Sequence, residues 1–317
     1  MAACLEIEKP LLELEEKYAV LSRTGQQRDA DMDSGILLMQ EKLTQLKELF
    51  FHQLSPHEKV QMARHPQRPY PPDYVRLIFS NFLELHGDRR FADDQAIFGG
   101  FAFFDQQPVM LIATRKGRDL KTNMETNFGC AHPEGYRKAM RLMKLADKVK
   151  CPVITLVDTP GAYPGIAAEE RHIGEAIACN LRDMFRLSVP VISVITGEGG
   201  SGGALGISVA NRVLIMANAY YSVITPEGCA AILWRSAEAI PKAAEALKLT
   251  SDDLKRLGIA DEVVCEPLGG AHRDYPAAAE LLANALRRHL QDLRKMSPEQ
   301  LRQDRYDKFR AMGQFLD

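Results

Sequence analysis

An α/β fold with its sheet buried on both faces is predicted by three features of the sequence. Val153-Ile154-Thr155-Leu156-Val157 and Val213-Leu214-Ile215-Met216 are nearly continuous apolar runs, the pattern of strands covered on both sides. Residues 134–148 ahead of them are amphipathic, with Ala139, Leu142, Ala146 and Val149 recurring on one helical face. Such runs then alternate with helical stretches, as in a sheet layered by helices.

The elements follow in chain order. Leu11, Leu14, Tyr18 and Leu21 are spaced 3-4-3, and Ile36, Met39, Leu43, Leu46 and Phe50 continue the same heptad rhythm. Two helices joined by the polar stretch Ser22 to Ser34 make residues 1–54 a helical hairpin. Its short seams bury little, so packing on a partner or on the main body is expected. Ser55-Pro56-His57-Glu58 is a helix start: Ser caps, Pro takes the first helical position, Glu completes the capping box. Ser297-Pro298-Glu299-Gln300 repeats the device. A main domain over 55–296 and a helical tail over 297–317 follow.

Within the main domain, Val109 to Ala113 reads as a strand paired with one near 97–104 through Asp105-Gln106-Gln107. A helix over 134–148, a strand over 153–157, a helix over 168–186 and a strand over 189–195 come next. A small-residue helix over 201–210, strands over 213–216 and 221–224, and a helix over 226–234 complete the reading.

Composition narrows the function. Forty Lys+Arg stand against 42 Asp+Glu, a formal charge of -2, so nucleic acid is not an expected partner. No apolar stretch reaches the ~18 residues of a membrane span. Glu6, Glu8 and Lys9 stand where a signal peptide would be apolar, so a cytoplasmic protein is expected. Cys4, Cys130, Cys151, Cys179, Cys229 and Cys265 form no C-x-x-C pair and read as reduced thiols. His52, His57, His65, His86, His132 and His172 make no i,i+4 pair; no metal site is expected.

The most informative stretch is Gly197-Glu198-Gly199-Gly200-Ser201-Gly202-Gly203-Ala204, between a strand and a helix. It matches G-x-G-x-x-G, but no Asp or Glu lies between Glu198 and Glu227 to hold a ribose. It also matches G-x-S-x-G, which would make Ser201 a hydrolase nucleophile needing His272 or His289 as base. A third reading is a backbone oxyanion hole, with uncovered N–H groups facing a developing charge. A tight turn that packs helix on sheet stays open beside it. Asp158-Thr159-Pro160-Gly161 has the form of a GTPase D-x-x-G loop, but the chain has no Gly-Lys pair for a P-loop. Arg115, Lys116 and Arg118 form a basic cluster after a strand, either a solvated surface or an anion contact.

Five segments, in order, resemble the alpha subunits of bacterial acetyl-CoA carboxylase carboxyltransferase. They are Arg64 to Tyr70, Asp158-Thr159-Pro160-Gly161-Ala162-Tyr163-Pro164-Gly165, Gly197 to Ala204, Ser222 to Cys229, and Glu266 to Arg273. The resemblance covers nearly the whole chain. It implies a crotonase-like spiral of repeated ββα units. It also implies a beta subunit of the same fold carrying zinc, an α2β2 assembly, a biotin carboxylase, and a carrier protein that supplies biotin. No cofactor is then expected on this chain itself.

The implied reaction moves a carboxyl group from carboxybiotin to acetyl-CoA, giving malonyl-CoA. Two oxyanions form, one on biotin and one on the thioester, so backbone donors suffice in place of a side-chain acid or base. The resemblance thus implies catalytic N–H groups around Gly202, Gly203 and Ala204. Contacts to substrate are expected from Gly199, Gly200, Tyr163, Pro164, Gly165, Arg115, Lys116 and Arg118. A serine hydrolase of the same fold using Ser201 is the alternative.

Overall fold

The computed structural model describes residues 4–23 and 30–313, apart from the side chains of 23 and 30–34. Residues 24–29 of the polar joint Ser22 to Ser34, and the last four residues of the tail, lie outside the described residues. The two N-terminal helices are Lys9–Arg23 and Ala30–His52. They touch through Tyr18 and Gln40 (3.1 Å) and through a 2.5 Å ion pair of Lys47 with Glu15. On the second helix Ile36, Leu43 and Phe50 of the expected seam are half-buried, while its Met39 and Leu46 are exposed, as are Leu37, Leu38 and Leu49.

Among the described residues eight strands form one sheet: β1 (Ser80–Glu84), β2 (Ile97–Phe104), β3 (Gln107–Thr114), β4 (Val153–Thr159), β5 (Val191–Gly200), β6 (Arg212–Met216), β7 (Tyr220–Ser222) and β8 (Glu262–Val264). The spatial order is β1-β2-β3-β4-β5-β6-β8, with β7 pairing the far end of β5. β1, β2 and β3 are antiparallel; from β3 onward every pair is parallel. β4 and β5 are buried along their whole length, as their apolar runs require. The Pro133–Lys148 and Ile173–Met184 helices pack on each other, and the former also lies against β2 and β3. β1 and β8 were not legible in the sequence: each is a short edge strand of mixed exposure.

Three expectations need correction. The strand expected to end at Ile195 runs on to Gly200, because glycines let neighbouring backbones come close enough to stay paired: Gly199 with Thr159 of β4, and Glu198 to Gly200 with β7. The helix expected over 168–186 is two, Ile166–Glu169 and Ile173–Met184, divided at His172, which is left-handed at φ 62°. The helix expected over 201–210 stops at Leu205.

The helix of the C-terminal segment, Pro298–Arg310, is anchored in the core. Arg305 is fully buried, and its guanidinium donates to the carbonyls of Met184 (2.7 Å), Leu187 (3.0 Å) and Val189 (3.2 Å), and to Asn211 Oδ1 (2.6 Å). Those carbonyls end the preceding helix and lead into β5, so Arg305 satisfies groups that would otherwise be buried alone. Among the described residues no helix is long and apolar enough to cross a membrane.

Candidate active site

β5 delivers the glycine segment to the carboxyl end of the parallel sheet, where crevices of α/β proteins form. The chain turns there at Ser201, whose φ of 52° is costly for a residue with a Cβ. The Ser201–Leu205 helix follows at once. Its first N–H groups, those of Gly202 and Gly203 among them, have no carbonyl one turn back within the helix. Tyr136 donates its hydroxyl to the Gly203 carbonyl at 3.2 Å, and Asn180 donates to the Gly206 carbonyl at 3.0 Å, fixing the helix from beneath.

The loop after β4 meets this turn backbone to backbone. A Cβ on Gly203 would lie 2.4 Å from Ala162 N and from Gly161 C; one on Gly200 would lie 2.0 Å from the Pro160 carbonyl oxygen. Only glycine permits either approach. Gly165 is shielded by the Tyr163 ring, 2.4 Å from where its Cβ would be. The structure therefore brings Gly199, Gly200, Gly202, Gly203 and Ala204 together with the loop that carries Tyr163, Pro164 and Gly165. Beside Gly202 opens a cavity of about 470 Å³, mostly apolar, lined by Leu205, Val213, Tyr221, Val223 and Phe309 among others.

The basic cluster divides. Arg115 reaches Glu84 at 3.3 Å and lies over the Phe98 ring; Arg118 pairs with Asp73 over the Tyr70 ring. Both line a cavity of about 330 Å³ with Gln95 and Thr122, which Lys116 also borders. Lys116 turns inward, its ammonium 2.6 Å from Asp158 Oδ1 and 2.9 Å from Glu198 Oε1. Asp158 also accepts the Glu198 N–H at 2.9 Å, tying β4 to β5 just before the glycines.

Sequence reasoning missed the network behind the glycines. Glu198 takes Arg64 Nε (2.9 Å) and the Tyr220 hydroxyl (2.6 Å) on its other oxygen, and Arg64 continues to Glu227 at 2.7 Å. Arg64 and Glu227 both lie in segments that carried the family resemblance, which was the available signal. Burial alone would raise the Glu198 carboxyl; Lys116 and Arg64 more than reverse it and hold it at about 2, against an ordinary value of 4.5. A depressed folded pKa stabilises the protein above 4.5 and is lost as pH falls towards 2. The contribution is on the order of 3 kcal/mol. Urea midpoints are expected to fall from pH 6 to pH 3, and Glu198→Gln to flatten that fall; an equally steep fall in the variant would refute the assignment.

The hydrolase constellation does not assemble. His272 bonds Glu8 at 2.8 Å and His289 bonds Glu262 at 2.7 Å. Among the described residues none hydrogen-bonds the Ser201 hydroxyl.

A grouping that spacing could not reveal lies elsewhere. Glu8, His65 and His272 place ligand atoms within 4.8 Å of one another. The Gln67 N–H donates to His65 Nδ1 at 3.0 Å. The proton of a neutral His65 ring therefore sits on Nε2, the nitrogen facing Glu8, and leaves no lone pair there for a cation. A metal-bound imidazole carries its proton on the other nitrogen and donates it outward.

The profile of the family described as "Acetyl co-enzyme A carboxylase carboxyltransferase-like" matches residues 4–313. The chain belongs to that family. The acetyl-coenzyme A carboxylase carboxyl transferase subunit alpha of Thermus thermophilus is 52% identical over 313 residues, covering 99% of this chain and 99% of the relative. That of Geobacter metallireducens is 53% identical, covering 99% and 98%. Among solved structures, a transcarboxylase 12S superposes with a TM-score of 0.56 at 22% identity, over 69% of this chain and 41% of that one. A Pseudomonas malonate decarboxylase hetero-tetramer gives 0.57 at 19% identity, over 68% and 86%. At such identities the likeness shows the fold, the crotonase-like α/β architecture of carboxyltransferases. It refines the plain layered sheet read from the apolar runs.

Proposed function

We propose that this chain is the carboxyltransferase alpha subunit of an acetyl-CoA carboxylase. In this reading it moves a carboxyl group from carboxybiotin to acetyl-CoA and so begins fatty acid synthesis. Full-length identity to alpha subunits is the observation that carries the reading. The backbone contact between Gly203 and the 161–162 loop supports it, because it holds first-turn N–H groups rigidly where an oxyanion can be met.

Carboxybiotin, brought on a carrier protein, supplies the transferable carboxyl group and, once that has left, a basic ureido group. The chain's own part is to orient and to stabilise charge. N–H groups of Gly202, Gly203 and Ala204 face the ureido oxygen, and a beta subunit's equivalent faces the thioester enolate. The apolar cavity beside Gly202 suits a fused ring system with an aliphatic tail. Gly199, Gly200 and the Tyr163–Gly165 loop shape the crevice, while Arg115 and Arg118 offer cationic groups to anionic substrate in the separate cavity that they line. Lys116 acts from behind, through Asp158 and Glu198.

The working unit is α2β2, with zinc in the beta subunit, and it meets a biotin carboxylase and the biotin carboxyl carrier protein in the cytoplasm. Residues 1–54 serve assembly, 55–296 carry the transferase domain, and 297–317 form the C-terminal helical segment. The test is malonyl-CoA formation with carboxybiotin. The chain alone is expected to be inactive, the chain with a candidate beta subunit active, and Ser201→Ala in that assembly nearly as active. Full synthesis by the chain alone would overturn the shared site. A loss of roughly four orders of magnitude in Ser201→Ala with intact folding would favour the hydrolase.

A further inference from the structure

Glu8 is 1% exposed, and a carboxylate so placed is strongly destabilising unless it is paired. It receives the Leu5 N–H at 3.0 Å and His272 Nε2 at 2.8 Å. His65 Nε2 stands 3.1 Å from its other oxygen, off the axis of a full hydrogen bond. The two imidazoles stack, with ring centres 3.9 Å apart. Burial alone would raise the Glu8 carboxyl; the histidine contacts reverse this and hold it well below the carboxylate range.

Each histidine belongs to a segment that ends on the catalytic strand. His65 lies in an irregular turn between Arg64 and Arg68. Arg68 donates from Nε to the Thr196 carbonyl at 2.8 Å, and Arg64 from Nε to Glu198 at 2.9 Å, so the two arginines grip β5 on either side of Gly197. His272 closes the loop whose Glu266 holds Arg68 at 2.6 Å and accepts the Ala271 N–H at 2.8 Å. A turn without ladder bonds has little of its own to fix these guanidinium groups. The buried carboxylate joins both segments from outside.

We propose that Glu8 is a positioning residue for the transferase site: through His65 and His272 it fixes Arg64 and Arg68, and these set the β5 glycines that present the oxyanion donors. The inference rests on the carboxyl-transfer reading. It also gives the N-terminal hairpin, which starts at Lys9, a link to catalysis besides assembly.

The experiment uses the full chain assembled with its beta subunit, as wild type, Glu8→Ala and Glu8→Gln. Glu8→Ala is expected to lower kcat for malonyl-CoA formation roughly tenfold, with the acetyl-CoA KM within about twofold of wild type. Glu8→Gln keeps the shape and one accepting oxygen, and falls between. Amide exchange is expected to quicken at 64–68 and 196–203 but not at 107–114. Unchanged kcat, with faster exchange confined to 5–52, would show a mere tether and overturn the proposal. So would one divalent ion per chain in the wild type that is lost in Glu8→Ala, which would make the cluster a metal site. If the wild-type assembly makes no malonyl-CoA, the function reading falls, and the exchange measurement alone still decides the clamp.

Discussion

One methyl group at Gly203 is expected to cut malonyl-CoA formation by on the order of 10²–10³, the cost of losing one oxyanion donor. The Gly203→Ala side chain would stand 2.4 Å from two backbone atoms of the 161–162 loop, and neither can swing aside as a side-chain terminus would. Either the loop or the Ser201–Leu205 helix must move, and the N–H groups leave their line with it. At Gly202 the nearest atom to an added Cβ is Ile177 Cδ1 at 3.6 Å, an ordinary contact, so Gly202→Ala is expected to fold normally. Gly203→Val enlarges the same clash.

The variant also tells which oxyanion this chain holds. If the donors face the ureido oxygen, Gly203→Ala binds acetyl-CoA normally while transfer fails in both directions, including malonyl-CoA decarboxylation onto free biotin. Loss of acyl-CoA binding with biotin saturation unchanged would place the enolate here instead. Wild-type rates in Gly203→Ala would refute the backbone hole altogether.

Arg68→Met is expected to destabilise the protein by about 3–5 kcal/mol, the cost of stranding a buried charge. Arg68 is fully buried, its pair with Glu266 is bidentate at 2.6 and 3.1 Å, and a third bond goes to the Thr196 carbonyl. Removing the guanidinium leaves the Glu266 carboxylate with only the N–H groups of Asn218 and Ala271 and the Asn218 amide. Arg76→Ala is the control: its pair with Asp73 is largely solvent-exposed on the arginine side, and such pairs contribute ~0–1 kcal/mol. Denaturant unfolding measures both, and a second change, Glu266→Gln, is expected to return part of the loss by removing the stranded charge. An Arg68→Met effect no larger than that of Arg76→Ala would show that the buried pair does not organise this face of the sheet.

Much of the fold was legible because the relevant forces are local. The runs at 153–157 and 213–216 become β4 and β6 because apolar side chains on both strand faces leave no solvated alternative. The capping boxes at Ser55 and Ser297 open helices as read, each serine oxygen taking the N–H three residues on. The elements that were missed or misplaced depend on distant partners. β5 extends through Gly197–Gly200 because β4 and β7 approach on either side, and nothing in a glycine run says whether it will be loop or strand until those neighbours arrive.

By itself, the sequence determined the layered α/β class and the family through five ordered segments, and it singled out the glycine segment that we propose as the place of chemistry. Tertiary structure alone decided what surrounds that segment. Lys116 read as a solvated cation or an anion contact in a basic run, yet it neutralises Asp158 and Glu198, one 42 and the other 82 residues away. Glu8 entered the sequence reading only as a charge where a signal peptide would be apolar, and it lies buried against His272, 264 residues on. The reason is the range of the interactions. Periodicity and capping act within a few residues and leave a mark on sequence spacing, whereas a buried charge is tolerable only beside its counter-charge, and folding supplies that from any part of the chain.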